Sequence, residues 1–516
     1  MAAAEARAVE GQPLLGAVLP NRVSISESGE FTLGDQELVL LGGNYVVKAP
    51  PWYPPVEQVT KDAKIMADGA RAMAYSPPNS ASGASRVVRP CVRLGCLMEG
   101  AMPKQGQGID KTWAAKLDAT IKAFGNEGVY VFLDCHQDAG FTTCAGEGFP
   151  WWVPAGMQKN AGFGLCGYSC DPVAECPGCC CCGCCLRGCW PSSCQASYVA
   201  NSERPLQQAM PDCIAKTAGI AIEAEKGNTD PWRPFSVDGG AGDPAFMNVG
   251  NFSCRLNNND NAWGARLQTT RQLQNTVTRF YASPFVADDK ALFFDPYVEF
   301  TTYLCKVWEE NYNVVAVELL NEPCFSGLPY CCQMLSIDRS LFGFYAEVLK
   351  AMDKADPPVS APIVLDYWGS CLPGASTLAS CMACCPLPFG SSQTIKEWAA
   401  RKRIILSFHY YAPPTAVSFE SLVDIARKKA KSWGRTVPIF LSEYFEGGSD
   451  APQQFANRLA LATDLGCNAT TYWHYVNREF TGHGGWYKYE GGSLDIPPKD
   501  NEQWAWYVGT VENQTF

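Results

Sequence analysis

Apolar positions along this 516-residue chain gather into short runs rich in β-branched residues. Eight of them stand out: Leu38–Val47, Val87–Leu94, Val129–Asp134, Val314–Leu320, Ile363–Tyr367, Ile404–Phe408, Ile439–Ser442 and Ala469–Trp473. Within each run the apolar residues are continuous rather than alternating, the pattern of parallel strands covered on both faces. Between several runs the pattern changes to that of an amphipathic helix, predicting helices over Asp110–Glu127, Leu341–Ala355 and Phe419–Trp433. Strand alternating with helix in this way predicts an α/β fold of the (β/α)8 TIM-barrel kind, with a doubly wound open sheet as the alternative.

The later runs follow one another at roughly 30 to 46 residues, which suits βα units with modest loops. The interval from the third run to the fourth, Gly140 to Asn313, is far longer and predicts a large insertion. Residues 1–36 are expected to be an N-terminal extension and 37–516 the barrel, with the insertion at about 155–265. Inside it lies a cysteine-rich, low-complexity segment at 166–194, and an insertion after a barrel strand falls beside the mouth where barrel enzymes work.

Polar residues fall at the ends of these runs. They are Arg93, His136, Asn321 with Glu322, Trp368, His409 with Tyr411, Glu443, and Trp473 with His474. The chain has four histidines, and three of them sit at such ends. A histidine satisfied within the core is the ordinary reading of any one of these, but three at equivalent positions of one face need a shared reason. Val317-Glu318-Leu319-Leu320-Asn321-Glu322-Pro323 and Pro438-Ile439-Phe440-Leu441-Ser442-Glu443-Tyr444 each run an apolar strand into a glutamate. Carboxylates in such places weaken a core and are rarely there for packing. Two of them meeting across one cleft form the acid and nucleophile of a retaining glycosidase. One must be protonated near neutrality, the other ionised, and an arginine with hydrogen-bond donors favours the second state. Asn321 suits a sugar 2-hydroxyl, Arg93 and Tyr411 suit the surroundings of the nucleophile, and Trp473 offers a flat face for a sugar ring.

Asn321-Glu322-Pro323, His409-Tyr410-Tyr411, Glu443 and Trp473, with Arg93 and His136 upstream, resemble the active-site set of glycoside hydrolase family 5. The resemblance implies that Glu322 is the acid/base, Glu443 the nucleophile, and Asn321, His409, Tyr411, Trp473, Arg93 and His136 their supports. Within that family, the segments Gly43–Pro51, Leu133–Asp138, Gly146–Trp151 and Ser407–Pro413 are similar to the endoglycoceramidase and glucosylceramidase-like branch. This likeness implies that Lys48 and Asp138 bind sugar hydroxyls, against the plainer reading of a surface lysine and a helix-capping aspartate. It also implies a covalent glycosyl-enzyme route without metal or organic cofactor. The expected substrate is the sugar–ceramide bond of glycosphingolipids. A β-glucan or mannan is the alternative, and a non-catalytic glycan- or lipid-binding barrel is the alternative of another class. Members of the branch commonly carry a C-terminal β-sandwich, whereas here 40 residues follow Val476, and Trp486, Trp504 and Trp506 are expected to close the last helix of the barrel. The tryptophan expected near Met98-Glu99-Gly100 is absent, and the cysteine-rich insert has no counterpart in the branch.

Composition narrows the partners. The chain is 47% hydrophobic and 18% charged, as a globular domain should be. Its net charge of −11 argues against nucleic acid. No apolar stretch is long enough for a transmembrane helix. The N-terminal run Pro13–Pro20 is short and lacks a basic flank, so it is a poor signal peptide and the default compartment is cytoplasmic. The 26 cysteines, eleven of them in 166–194, and the sequons at Asn251, Asn468 and Asn513 leave a secreted or lysosome-like route as the alternative. The insert supports several readings: a zinc site at Cys176/Cys179 and Cys182/Cys185, a disulfide-stapled cap, an S-palmitoylated run giving peripheral membrane contact near the mouth, or a loop without catalytic role.

Overall fold

In the computed structural model the predicted apolar runs pair side by side and close on themselves. The structure describes residues 22–47, 52–54, 56–72, 77, 79, 83–137, 148–150, 152–153, 277, 279–323, 330–366, 393–411, 418–445, 461–473, 489–490 and 493–494. A hairpin, β1 (Ser24–Ile25) and β2 (Phe31–Leu33), leads into the first barrel strand, β3 (Gln36–Tyr45). Seven more parallel strands follow: β4 (Arg86–Cys96), β5 (Tyr130–Cys135), β6 (Val314–Glu318), β7 (Ile363–Asp366), β8 (Ile404–Tyr411), β9 (Ile439–Phe445) and β10 (Ala469–Tyr472). Neighbours in sequence are neighbours in the sheet, and β3 pairs with both β4 and β10, so the eight-stranded parallel barrel is closed. The doubly wound alternative is thereby excluded. The expected insertion at 155–265, with its cysteine-rich segment 166–194, lies outside the described residues.

The helical pattern holds where its ends are capped. α1 (Val56–Ala72) follows the first barrel strand. α2 (Lys111–Asn126) starts at Asp110, whose carboxylate accepts from the Trp113 amide at 2.8 Å and satisfies one of the free donors of the first turn. α3 (Asp295–Glu310), α4 (Tyr330–Asp353), α5 (Gln393–Ala400) and α6 (Phe419–Ser432) complete the series, the last capped by Ser418. α4 begins eleven residues before the predicted Leu341, and Met334, Leu335 and Ile337, at helical spacing from Leu341 and Phe342, were the sequence signal for that extension.

Side chains alternate between two cores, as strands covered on both faces require. Val39, Leu41, Val92 and Val131 pack outward against helix residues such as Leu117, Ile121 and Phe300. Leu38, Leu40, Phe132, Val364, Ile405 and Phe440 fill the lower interior, where Phe132 and Phe440 stack at 4.4 Å. Phe31 of the hairpin closes this floor, with its ring 6.1 Å from Phe132. Asn468, one of the three sequon asparagines, is buried beside it. Its Nδ2 donates to Glu30 at 2.6 Å and its Oδ1 accepts from the Ile439 amide, so this folded side chain is not open to glycosylation.

Above the floor the interior turns polar in one step. Asn44, Arg93, Asp134, Glu318, Asp366, Ser407, Ser442 and Thr471, one from each strand, have no exposed surface. This tier carries the site.

Candidate active site

Arg93 stands at the centre of the tier. Its Nε donates to Glu318 at 2.6 Å, and one terminal nitrogen donates to Glu443 at 2.7 Å and to Asn44 at 2.9 Å. The other terminal nitrogen donates to Asn321 and lies 3.1 Å from Asp134. A planar, permanently charged fork with five N–H groups can hold this many acceptors, which an ammonium cannot. Burial alone would lower its pKa, but Asp134, Glu318 and Glu443 hold the guanidinium well above its ordinary value.

A second centre is His409 on β8. Its Nδ1 is 2.8 Å from Glu322 Oε1 and 3.5 Å from Glu443 Oε2, while Nε2 is 3.5 Å from Asp366. Burial would lower the imidazole pKa, yet Glu443, Asp366 and Glu322 outweigh it and raise it to about 10, so the ring is a buried cation at neutral pH. The register explains its place: the β8–β9 pairing shifts between Phe408 and His409, and His409 then pairs with Glu443. The shift also extends both strands beyond their predicted ends at Phe408 and Ser442.

Glu322 reaches the same point from a turn. β6 ends at Glu318, earlier than the predicted Leu320, and the chain bends so that Glu322 adopts φ +38°. Its amide donates to Asp366 at 3.0 Å. The Glu322 side chain is 11% exposed and that of Glu443 3%, so both face a narrow opening at the C-terminal mouth of the barrel. One carboxylate oxygen from each and a ring nitrogen of His409 all lie within 4.8 Å of one another. Glu318, Asp366 and His409 form a second group within the same spacing. Arg93 pairs with Glu318 and Glu443, and His409 with Glu322 and Asp366, so two cations answer part of the negative charge of these four carboxylates.

The other predicted residues divide in two. His136 is buried and its Nδ1 is 2.6 Å from Asp134, while its ring stacks on Trp473 at 5.6 Å with 5° between planes. One face of Trp473 is therefore covered by His136, and the indole is only 8% exposed. Tyr411 ends β8, opposite Phe445. Lys48, Asp138, Trp368 and His474 lie outside the described residues. Sequence reasoning passed over Glu318, Asp366, Asp134 and Asn44. Each is a polar residue inside an apolar run, and its parity with the strand-end residues was the available signal.

Beside the mouth, Gln137 joins Met98, Phe149, Trp152, Phe280 and Phe293 around a small, largely apolar hollow with room for about one water. Phe293 comes from a π-helical turn, Lys290–Phe294, leading into α3.

A closed parallel barrel whose C-terminal mouth gathers paired carboxylates, an arginine and histidines has the make-up of a barrel enzyme. Residues 89–161 match the sequence model of Cellulase (glycosyl hydrolase family 5). Over that stretch the chain resembles glycosyl hydrolase family 5. It is 37% identical over 78 residues to endoglycoceramidase I of Rhodococcus hoagii (strain 103S), a match covering 14% of this chain and 16% of that protein. It is also similar to a solved structure of endo-glycoceramidase II from Rhodococcus sp., with 14% identity, TM-score 0.48, and 96% and 81% of the two chains covered. A crystal structure of endogalactoceramidase is similar at 14% identity and TM-score 0.49, covering 95% of this chain and 84% of that one.

Proposed function

We propose that this protein is a retaining β-glycosidase in which Glu322 is the acid/base and Glu443 the nucleophile. The observation that carries the reading is the approach of the two carboxylates within 4.8 Å at the barrel mouth. Retaining enzymes hold their pair at about 5 Å, whereas inverting ones leave room for a water at roughly 6.5 Å or more. Arg93 supports the nucleophile by holding a Glu443 carboxylate oxygen at 2.7 Å. Glu322 is the more exposed of the pair, as a group that meets the leaving oxygen and then water should be. In the first step the Glu322 carboxyl gives its proton to the glycosidic oxygen while Glu443 attacks the anomeric carbon. In the second step the Glu322 carboxylate takes a proton from water, whose oxygen attacks the anomeric carbon and breaks its bond to Glu443, releasing the sugar and restoring both groups.

The substrate read here is a glycosphingolipid cleaved between sugar and ceramide. The partial likeness to an endoglycoceramidase supports it. Lys48 and Asp138 are proposed to bind sugar hydroxyls on the sequence likeness alone. Fluorescent glucosylceramide and cello-oligosaccharides, assayed in parallel, test the substrate, and release of ceramide from the first is expected. Cleavage of cello-oligosaccharides alone would move the substrate to β-glucans, and glycolipid retained without release would make the barrel a binding protein. Glu443→Gln should reduce turnover by at least about a thousandfold. Appreciable residual activity in that variant would overturn the assignment.

A further inference from the structure

We propose that Asp366 is a positioning residue for this reaction: it fixes the turn that presents Glu322 and seats His409 between Glu322 and Glu443. The inference rests on the glycosidase reading above.

Asp366 ends β7 with no exposed surface. One of its oxygens, Oδ2, accepts from the Glu322 amide at 3.0 Å and lies 3.5 Å from His409 Nε2. The two contacts act on the same place from opposite sides. Glu322 has φ +38°, in the left-handed region that a non-glycine residue avoids, and the Asp366 contact holds its amide in that turn. The ring, whose Nε2 lies at ion-pair distance from Asp366 without a hydrogen bond, has its other nitrogen 2.8 Å from Glu322 and 3.5 Å from Glu443. A single carboxylate oxygen thus bears on the backbone of the proposed acid and on the histidine beside its side chain.

The charged groups around His409 come from four sides. Glu318 approaches from β6, Glu322 from the turn after it, Asp366 from β7 and Glu443 from β9. Arg93 from β4 binds the oxygen of Glu443 that faces away from the ring. Burial opposes the charge on the imidazole, and Glu443, Asp366 and Glu322 together raise its pKa to about 10. Removing the charge of Asp366 while leaving an oxygen that can accept from Glu322 separates its electrostatic work from its backbone contact.

Asp366→Asn in the full chain tests this by comparing two β-glucosides, one with an alkyl leaving group and one with a dinitrophenyl group that departs without protonation. We expect kcat/KM to fall by about a hundredfold for the alkyl glucoside and by less than about threefold for the dinitrophenyl one. Equal losses on both would indicate a purely structural role and overturn the proposal. Independently of activity, 15N-histidine spectra should show His409 losing its proton at lower pH in Asp366→Asn, with His409→Asn identifying the signal. An unchanged titration would also overturn it. If the native protein cleaves neither these glucosides nor glucosylceramide and cello-oligosaccharides, the glycosidase reading fails, and the titration alone decides whether Asp366 seats His409. If Asp366→Asn does not fold, Asp366→Ser takes its place with the same expectations.

Discussion

Arg93 and His409 divide the positive charge of this site, and both are fully enclosed by acids. Glu318 bears the cost of that crowding. It is buried, accepts from Arg93 at 2.6 Å and from the Ser407 hydroxyl at 3.1 Å, and still has its pKa pushed up to about 7. Burial is the main cause, Asp134 and Asp366 add to it, and Arg93 opposes it. A carboxyl raised in the native state contributes most below its unfolded value of about 4.5, and that contribution is lost as pH climbs through about 7. His409 acts in the same direction at higher pH, since its contribution is complete below 6.5 and is lost through about 10. The melting temperature should therefore decline from about pH 5 to about pH 8, and Glu318→Gln should flatten the decline. Parallel slopes for the two proteins in thermal melts across that range would show that Glu318 is not the titrating group. Glu322 and Glu443 were legible in the sequence because each ends an apolar run. Glu318 and Asp366 were passed over because each sits inside an apolar run, and only its even spacing from a strand-end residue marks it as facing the same interior.

At the scale of elements, the strands follow closely from apolar continuity, and their ends follow from hydrogen bonding. β6 stops at Glu318 because the chain turns there to send the Asn321 amide to the Cys135 carbonyl at 3.0 Å. β8 and β9 run on because a register shift keeps them paired beyond Phe408. The tightest seam is between β3 and β4. A Cβ added to Gly42 would come within 1.6 Å of the Cys91 carbonyl oxygen, a backbone atom that cannot move without parting the strands. Gly42→Ala should therefore abolish soluble expression or destabilise the fold by several kcal/mol, more than the roughly 1–3 kcal/mol usual for overpacking a core. Near-native melting of that variant would contradict the closeness of this pairing. On the floor of the barrel, Phe132→Ala removes the ring stacked between Phe440 and Phe31 and should cost about 3–5 kcal/mol in denaturant unfolding.

At the scale of the molecule, the barrel separates stability from chemistry along its axis. The lower interior is apolar, the tier above it is polar and enclosed, and Glu322 and Glu443 stand at the rim. Among the described residues no helix is long and apolar enough to cross a membrane. Barrel closure was foreseen from the eight repeats of strand and helix. The hairpin that closes the floor was not, because its strands of two and three residues carry too little pattern to read.

That hairpin has a consequence for how the chain folds. Ser26 takes a hydrogen bond from Arg435, and Glu30 takes one from Asn468, 438 residues further along. Closing so long a loop is entropically costly, and its reward arrives only when the partner segment is in place. The contacts of this hairpin with the C-terminal half of the chain are therefore among the last to form. During synthesis the hairpin can pair with β3 at once, but its bonds to Arg435 and Asn468 wait for those segments, and the late rise in its protection from hydrogen exchange would mark the moment at which the barrel is complete.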